Sequence, residues 1–178
     1  STEILDLLER LNQIKPVWVE LGLQTIHERT ARYIRRGYDL PVFETAVSEL
    51  RRRGIDVIVH TILCLPGETK PDILQTIQYL NRQDIQGIKL QLLHILKDTD
   101  LAEIYASDPF PVPDPQEYYE LLGACISHLR PDIVIHRLTG DGPKELLTAP
   151  LWTCNKRQVL NQLQSYFKTH DIWQGKEY

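Results

Sequence analysis

Residues 56–65 read DVIVHTILCL, and only the aspartate, the histidine and the threonine of this run are polar. An apolar run of this length that is rich in β-branched residues is typical of a strand buried on both faces of a parallel sheet. The pair Pro66-Gly67 then predicts a turn, and residues 70–82 carry apolar side chains at helical spacing. This stretch therefore predicts one strand–turn–helix unit of an α/β fold.

The same alternation continues on both sides of this unit. Three further segments are predicted as strands: 17–24 (VWVELGLQ), 87–96 (GIKLQLLHIL) and 132–138 (DIVIHRL). Helices are predicted over 2–13, 27–36, 42–53, 116–129 and 155–169, with a helical turn over 99–106. Strands joined by helices pair in parallel, so the sequence predicts a parallel sheet with outer helices. Four strands are too few to close an eight-stranded barrel.

A proline-rich segment, DPFPVPDP at 108–115, interrupts this pattern and predicts an extended loop. We take it as the boundary between two parts of the chain. Residues 1–107 are predicted to carry the main sheet and its helices. Residues 108–178 are predicted to form a C-terminal extension, made of the loop, a helix, a strand and a helix, that packs on the first part.

The composition limits the class of protein. Of the 178 residues, 42% are hydrophobic and 25% are charged, and the formal net charge is −4. No apolar run reaches the roughly 18 residues that cross a membrane, and the acidic balance argues against a generally basic nucleic-acid binder. The scattered cysteines Cys64, Cys125 and Cys154 form no CxxC pair, so they predict no metal site and suit a reducing cytoplasm. The chain contains no Met and begins with Ser1, which favours a piece of a longer protein.

Candidate functional residues follow from the topology, because ligands of parallel α/β folds bind at the carboxyl ends of the strands. Side-chain alternation puts Glu20 and Gln24 on the same face of their strand. Glu20 either contacts a substrate or pairs with Lys89 or an arginine inside the sheet, because a buried polar group needs a partner. The later strand ends offer further candidate substrate contacts: His94, Lys97, His136, Arg137, Asp141 and Lys144.

Several of these segments resemble radical S-adenosylmethionine (SAM) enzymes, and among them the YhcC/YtqA-type bacterial proteins. The segments are ELGLQT (20–25), TARYIRRGYD (30–39), HTILCLPGET (60–69), IKLQLLHILKDTDLAEIY (88–105) and HRLTGDGPKELLTAPLW (136–152). Each piece is a weak signal, but together and in this order they are specific. The resemblance implies that the chain is the C-terminal portion of a partial TIM-type (βα)6 barrel, with residues 1–107 as the second half of that barrel.

The resemblance also implies a chemistry and its cofactors. Such enzymes use a [4Fe–4S] cluster to cleave SAM reductively, and the resulting 5′-deoxyadenosyl radical abstracts a hydrogen atom from the substrate. The CxxxCxxC loop that holds the cluster has no match in this sequence. We therefore expect the cluster ligands to lie outside this chain, and the chain alone to be inactive. By the same resemblance the expected partners are tRNA, whose wobble uridine would be modified, and an electron donor such as flavodoxin or ferredoxin.

Four cofactor-binding residues carry over by position. Gln24 matches a glutamine that faces the SAM site, and Arg36 lies where the subgroup often has an arginine directed at the SAM carboxylate; Arg35 is a rival for that role. His60 stands where relatives often have an acid that contacts the ribose, and Ile62 would offer an apolar wall to the adenine. Plainer roles stay open, since Arg36 could end a solvated helix and His60 could be a satisfied core residue.

A different interpretation, a non-catalytic α/β module that binds phosphate or RNA, rests on two features. One is a basic cluster, made of Arg29, Arg32, Arg35, Arg36, Arg51, Arg52 and Arg53. The other is the turn Gly140–Gly142, which leads into a predicted helix and could seat an anion on free N–H groups. The ordinary alternatives are a solvated helix face for the arginines and a plain tight turn for the glycines.

Overall fold

The computed structural model describes residues 1–140 and 142–178, so the predicted substrate-binding residue Asp141 lies outside the described residues. The helices are α1 (Thr2–Ile14), α2 (Glu28–Tyr33), α3 (Leu40–Arg52), α4 (Lys70–Leu80), α5 (Asp100–Ser107), α6 (Pro115–His128) and α7 (Lys156–Thr169). The strands are β1 (Trp18–Gln24), β2 (Asp56–Leu63), β3 (Gly87–Leu92), β4 (Ile95–Leu96), β5 (Val134–Arg137) and β6 (Leu147–Ala149). Two short 3-10 turns occupy Lys144–Leu146 and Leu151–Cys154.

The main sheet has the strand order β1-β2-β3-β5, and all of its pairs are parallel. This arrangement confirms the predicted α/β fold with a parallel sheet and outer helices. Every strand of the sheet came from an apolar run in the sequence. The order follows from βα units laid down side by side, each helix crossing back over the same face.

One predicted strand is divided, and this is a correction. The segment 87–96 pairs with β2 only as far as Leu92, after which the chain leaves the sheet. Ile95 and Leu96 then pair antiparallel with residues 147–149, which the sequence did not predict as a strand. Burial explains the departure, because Ile95 becomes fully buried in this second, two-stranded sheet.

Helices α3, α4 and α6 cover one face of the main sheet and form the core with it. The strands contribute alternate residues to this core, such as Val57 and Val59 on β2 and Leu90 on β3, all fully buried. Full burial of each such side chain stabilises the fold by about 1.5–3 kcal/mol. The residues between these core positions therefore point to the opposite face of the sheet.

The opposite face of the sheet is open and carries the polar residues. Trp18 and Glu20 lie on this face of β1, as alternation predicts, while their neighbour Leu23 is fully buried on the core side. Trp18 and Val134, at the two edges of the sheet, are 57% and 59% exposed. Parallel sheets are normally covered on both faces, so this open face is an unusual feature of the chain.

The starts of α4 and α6 are fixed by capping boxes. Thr69 and Asp72 satisfy each other's backbone N–H groups at α4, and Asp114 and Glu117 do the same at α6. A proline in the first turn supports each start, because its missing N–H has no partner there anyway. These caps explain how α6 begins directly within the proline-rich segment.

The C-terminal part of the chain shares the core of the first part. Strand β5 completes the main sheet, and Tyr118 and Leu122 of α6 are fully buried in the common core. The predicted boundary between residues 107 and 108 stays a prediction. Within the described part of the chain, no helix combines the length and the hydropathy that a membrane span requires.

Candidate functional site

A cavity of about 780 Å³ lies at the carboxyl ends of β1, β2 and β3, where the topology predicts a ligand site. We call it the strand-end cavity. Its lining is polar on the β1 side and apolar on the β3 side. The lining residues are Gly22, Gln24, Tyr33, Ile34, Arg35, Arg36, Tyr38, Ile62, Leu65, Leu93, Thr99, Asp100, Leu101 and Ile104. Three of the four predicted cofactor-binding residues, Gln24, Arg36 and Ile62, are among them.

The end of β1 is distorted in a way that presents Gln24 to the cavity. A register shift between Gly22 and Gln24 marks a β-bulge, and Gln24 has a φ of +59°. Left-handed backbone costs a non-glycine residue about 1–3 kcal/mol and clusters at functional sites. Gly22 makes this possible, because a Cβ there would lie 2.5 Å from the Gln24 side-chain nitrogen. The bulge thus folds the Gln24 amide back over a residue that has no side chain.

Arg36, which lines the cavity, stabilises the end of β1. Its guanidinium donates to the carbonyls of Leu23, Thr25 and Tyr38 and to Glu28, at distances between 2.8 and 3.3 Å. The side chain is only 1% exposed. These bonds occupy four of the five N–H groups of the fork. A SAM carboxylate at Arg36 would have to use the last N–H or displace a protein partner.

Arg35, the rival for that role, has the accessible position. Its side chain is 76% exposed and lies on the rim of the cavity, with a φ of +57° that turns it away from α2. It forms an ion pair of 2.5 Å with Asp100 at the start of α5. Such an exposed pair contributes about 0–1 kcal/mol, so an incoming carboxylate can compete for it at little cost.

The apolar side of the cavity is formed by side chains from three elements. Ile62 at the end of β2 faces Leu93, which follows β3, and Leu101 and Ile104 of α5 close the far side. No residue of α5 is buried, and Ile104 is 38% exposed. Helix α5 therefore lies over the cavity with one apolar edge toward it.

The loop after β2 has a left-handed backbone at Cys64, whose φ is +65°. This conformation imposes strain on an L-residue. Burial, assisted by the charges of Glu117 and Glu68, raises the pKa of the Cys64 thiol to about 12.

Glu68 ties this loop to the end of β1. Thr25 donates its hydroxyl to a Glu68 carboxylate oxygen at 2.6 Å. Burial raises the pKa of Glu68, and the hydrogen bonds from Thr25 and Thr30 partly offset that rise. Glu68 takes no part in the cap of α4, which Thr69 and Asp72 form.

Glu20 and His60 lie deeper on the open face of the sheet and do not line the strand-end cavity. One Glu20 carboxylate oxygen accepts from Lys89 Nζ at 2.6 Å and lies 2.8 Å from His60 Nε2. The alternative in which Glu20 pairs with Lys89 is therefore the arrangement found. These bonds, Lys89 first and His60 second, lower the pKa of Glu20 to about 2. The position of His60 lends no support to a ribose contact.

The predicted substrate residues of the third and fourth strands are not brought together at the cavity. Lys97 donates its ammonium to the Glu145 carbonyl, and its backbone N–H bonds to Leu146. The His94 ring lies against Gly140 and Gly142, and the Gly142 N–H points at His94 Nδ1 at 3.3 Å.

The other two predicted residues of the fourth strand lie on and beside β3. The His136 ring packs against Gly87, and Arg137 is placed beside Gln91. Neither residue reaches the strand-end cavity.

The helix predicted after the Gly140–Gly142 turn is corrected, since the element that follows is a 3-10 turn of three residues, Lys144–Leu146. So short a turn has no macrodipole to bind an anion. The anion seat itself includes Asp141, which lies outside the described residues, and stays a prediction. The glycines admit the His94 ring, because a Cβ on Gly140 would collide with it.

The predicted basic cluster separates into two groups. Arg51, Arg52 and Arg53, at the end of α3, are all ion-paired with neighbouring acids. Arg29 and Arg32 are exposed on α2, and Arg35, which is paired with Asp100, lines the cavity. Arg36, the remaining member, has a buried side chain, so the seven arginines do not form one cationic surface.

No metal centre is formed by residues 1–140 and 142–178, since no group of three His, Cys, Asp or Glu side chains in them could hold an ion. The three cysteines are free thiols, and Cys125 is buried in the core. The sequence-based expectation that cluster ligands lie outside the chain remains a prediction.

Some residues of the cavity were missed by the sequence argument. Tyr38 donates its hydroxyl to the Gly22 carbonyl and lies 5.1 Å from the Arg36 guanidinium carbon. Its place within TARYIRRGYD was the only available signal. Leu101 and Ile104 were missed because helical apolar spacing does not distinguish a cavity wall from a core contact.

Comparisons with known proteins agree with this arrangement. Residues 1–80 match the family model of the radical SAM superfamily, and residues 85–169 match the radical SAM C-terminal domain. The chain is 37% identical over 174 residues to the uncharacterized protein YtqA of Bacillus subtilis, covering 98% of this chain and 54% of that protein. It is 34% identical over 170 residues to protein YhcC of Escherichia coli, covering 95% of this chain and 55% of that protein. The chain thus spans about half the length of the curated relatives it matches.

A solved structure shares the fold. The archaeal Elp3 of Methanocaldococcus infernus, with an N-terminal deletion, superposes with a TM-score of 0.78 at 16% sequence identity. The match covers 94% of this chain and 39% of that chain. At this identity the likeness establishes the fold.

Proposed function

The chain belongs to the radical SAM superfamily, and from that premise we propose that its strand-end cavity binds SAM in an enzyme that abstracts hydrogen atoms from RNA. Superfamily members generally use SAM and a [4Fe–4S] cluster. The single observation that carries the proposal is the strand-end cavity itself. It joins a strained glutamine and an accessible arginine to an apolar wall at the carboxyl ends of three parallel strands.

The residues present fit SAM by their chemistry. Gln24 offers an amide that can both donate and accept, and Arg35 offers a fork that matches a carboxylate. Ile62, Leu93 and Leu101 offer an apolar surface for the adenine. The cavity volume of about 780 Å³ also lies within the range of ordinary cofactor sites.

The described residues do not fit the cluster. No group of suitable ligands occurs among them, and the Cys64 thiol, with its pKa of about 12, is a poor thiolate donor. We therefore propose that the cluster ligands and the docking site for a flavodoxin or ferredoxin lie outside this chain.

With both groups bound, the chemistry supplied would be a 5′-deoxyadenosyl radical that removes a hydrogen atom from the substrate. The residues of this chain have other tasks. Gln24, held by the bulge, orients the ligand, and Arg36 keeps the bulge in place through the Leu23 and Thr25 carbonyls. Ile62 and Leu101 exclude water, which protects a reactive intermediate.

We propose tRNA as the substrate on two grounds. First, the chain is 24% identical over 150 residues to Elongator complex protein 3 of Schizosaccharomyces pombe and resembles the YtqA-type proteins more closely. The resemblance to YtqA-type proteins is what implies a tRNA substrate. In addition, Arg29, Arg32 and Arg35 are exposed and Arg35 lines the cavity, and arginine contacts to phosphates supply most of the non-specific affinity for nucleic acid.

Calorimetric titration of SAM into the chain tests the proposed cofactor site. We expect Gln24→Ala to weaken SAM binding about tenfold, the scale of one good hydrogen bond. His136→Ala is the matched control, because His136 is exposed on the same sheet but away from the cavity. Equal SAM affinity in the wild-type chain and in Gln24→Ala would contradict the proposal. We also expect the chain by itself to release no methionine from SAM under reducing conditions.

A further inference from the structure

The C-terminal helix carries a charge pattern that the rest of the chain does not share. The chain has 24 Asp and Glu residues and a net charge of −4, yet the segment from Pro150 to His170 contains no acidic residue. Lys156, Arg157 and Lys168 give α7 a local charge of +3. An acid-free cationic segment in an acidic protein indicates a surface that meets an anionic partner.

The same helix borders a second cavity, of about 840 Å³, which we call the α6–α7 groove. Tyr119 and Trp152 meet edge to face in its wall, with ring centroids 6.2 Å apart. Tyr166 and His170 are stacked at 4.0 Å with an interplanar angle of 26°, and His170 is exposed. Tyr119 is buried and closes the wall, while the exposed His170 ring, backed by Tyr166, offers a flat surface on which another planar group can stack.

The other lining of the groove is rich in neutral hydrogen-bonding side chains. Its amides and hydroxyls come from Gln116, Asn155, Gln158, Gln162, Ser165 and Thr169. The single carboxylate in the lining, Asp114, already caps α6. Side-chain amides with nearby aromatic rings are the groups that read the edges of unstacked nucleobases.

A row of polar residues runs along α7 beside the groove. Arg157, Asn161, Gln164 and Lys168 follow each other at helical spacing and are all exposed. At 1.5 Å per residue, the two cations of the row lie about 16 Å apart along the helix. A strand of nucleic acid can therefore follow this row with its phosphates while it turns a base into the groove.

We propose that the α6–α7 groove binds single-stranded RNA, with phosphates on the Arg157–Lys168 row and a base among the rings and amides. This deepens the proposed function and rests on it for the choice of RNA as the ligand. The groove is separate from the SAM site, since it shares no lining residue with the strand-end cavity. It would hold a part of the substrate away from the reacting atoms. A protein partner is less suited, because its acidic groups would pair with the cations of the row but would leave the rings and amides of the groove without a role.

Fluorescence anisotropy with a fluorescein-labelled 12-nucleotide single-stranded RNA tests the phosphate row. We expect the double variant Arg157→Glu/Lys168→Glu to weaken binding by at least tenfold. The slope of log affinity against log salt should fall by about 1.4, because each phosphate contact on a single strand contributes about 0.7. Arg10→Glu/Lys15→Glu, on α1 and directly after it, is the charge-matched control and should leave the slope unchanged; an equal loss in that control would overturn the proposal.

A second pair of variants tests the groove. Gln158→Ala/Gln162→Ala, both exposed on α7, should weaken RNA binding several-fold without changing the salt slope. RNA should also protect Cys154, which lines the groove, from maleimide alkylation read out by mass spectrometry. Unchanged affinity in the alanine pair, or displacement of the RNA by poly-glutamate at equal charge concentration, would show that no base is bound.

These experiments distinguish a failure of the groove inference from a failure of the proposed function. If the chain binds SAM but the RNA affinity falls only in Arg29→Glu/Arg32→Glu, the proposed function stands and the groove inference is overturned. If groove variants abolish RNA binding and SAM does not bind, the groove is supported and the SAM proposal fails.

Discussion

Replacing Arg36 by alanine tests whether this residue holds the strand end or receives the cofactor. The substitution removes four hydrogen bonds from a side chain that is 1% exposed, and it leaves Glu28 without its ion-pair partner. Hydrogen bonds from a charged donor are worth about 1.5–3 kcal/mol each, but they do not add because water enters the vacated space. Glu28 is 35% exposed, so water can reach it after the change, and we take about 3–5 kcal/mol, the worth of roughly two such bonds, for the whole change.

The measurement is urea unfolding of wild-type and Arg36→Ala chains, followed by tryptophan fluorescence and circular dichroism. We expect the unfolding free energy to fall by about 3–5 kcal/mol, which in a chain of this size lowers the melting temperature by roughly 6–20 °C. Arg35→Ala is the matched control, since its exposed ion pair with Asp100 should contribute less than about 1 kcal/mol. If the Arg36→Ala chain unfolds like the wild type but binds SAM at least tenfold more weakly, Arg36 does not stabilise the end of β1 and is instead a cofactor ligand.

Three other changes have expected outcomes. Gly22→Ala should push the Gln24 amide aside, because the new Cβ meets the flexible end of that side chain; SAM affinity measured by calorimetry should fall about tenfold while the melting temperature stays close to that of the wild type. Because the pKa of Glu20 is about 2 in the folded chain against an ordinary 4.5, its stabilisation is complete above pH 4.5 and is lost as the pH falls toward 2. After discounting for its 39% exposure we expect a loss of about 1 kcal/mol in urea titrations, absent in Glu20→Gln. The raised pKa of Glu68 acts in the opposite sense: stability should decline as the pH rises above the ordinary value of a glutamate, and Glu68→Gln, which still accepts from Thr25, should remove that decline in the same titration.

The sheet was predictable because each of its strands corresponds to an apolar run in the sequence. Residues 56–65 and 87–92 place alternate side chains in the core, so their burial follows from the pattern itself. The split after Leu92 was not predictable. It depends on pairing with residues 147–149, which lie far along the chain and carry no strand pattern.

The candidate site was predictable only in outline. The rule that ligands meet strand ends pointed to Gln24, and the family resemblance pointed to Ile62; both line the strand-end cavity. The task of Arg36 was hidden, because three of its partners are backbone carbonyls, which every residue has. The separation of His60 from the cavity was hidden as well, since it depends on how far along β2 the bulged end of β1 reaches.

The raised pKa of Cys64 gives the chain an internal reporter of motion. Alkylating reagents attack the thiolate, and at pH 8 a thiol with a pKa of about 12 is ionised in only about one molecule in ten thousand. Iodoacetamide should therefore label Cys64 chiefly when the loop after β2 opens and water reaches the sulfur. The labelling rate then measures how often this loop opens, and because its Leu65 lines the strand-end cavity, a ligand bound there should slow the labelling.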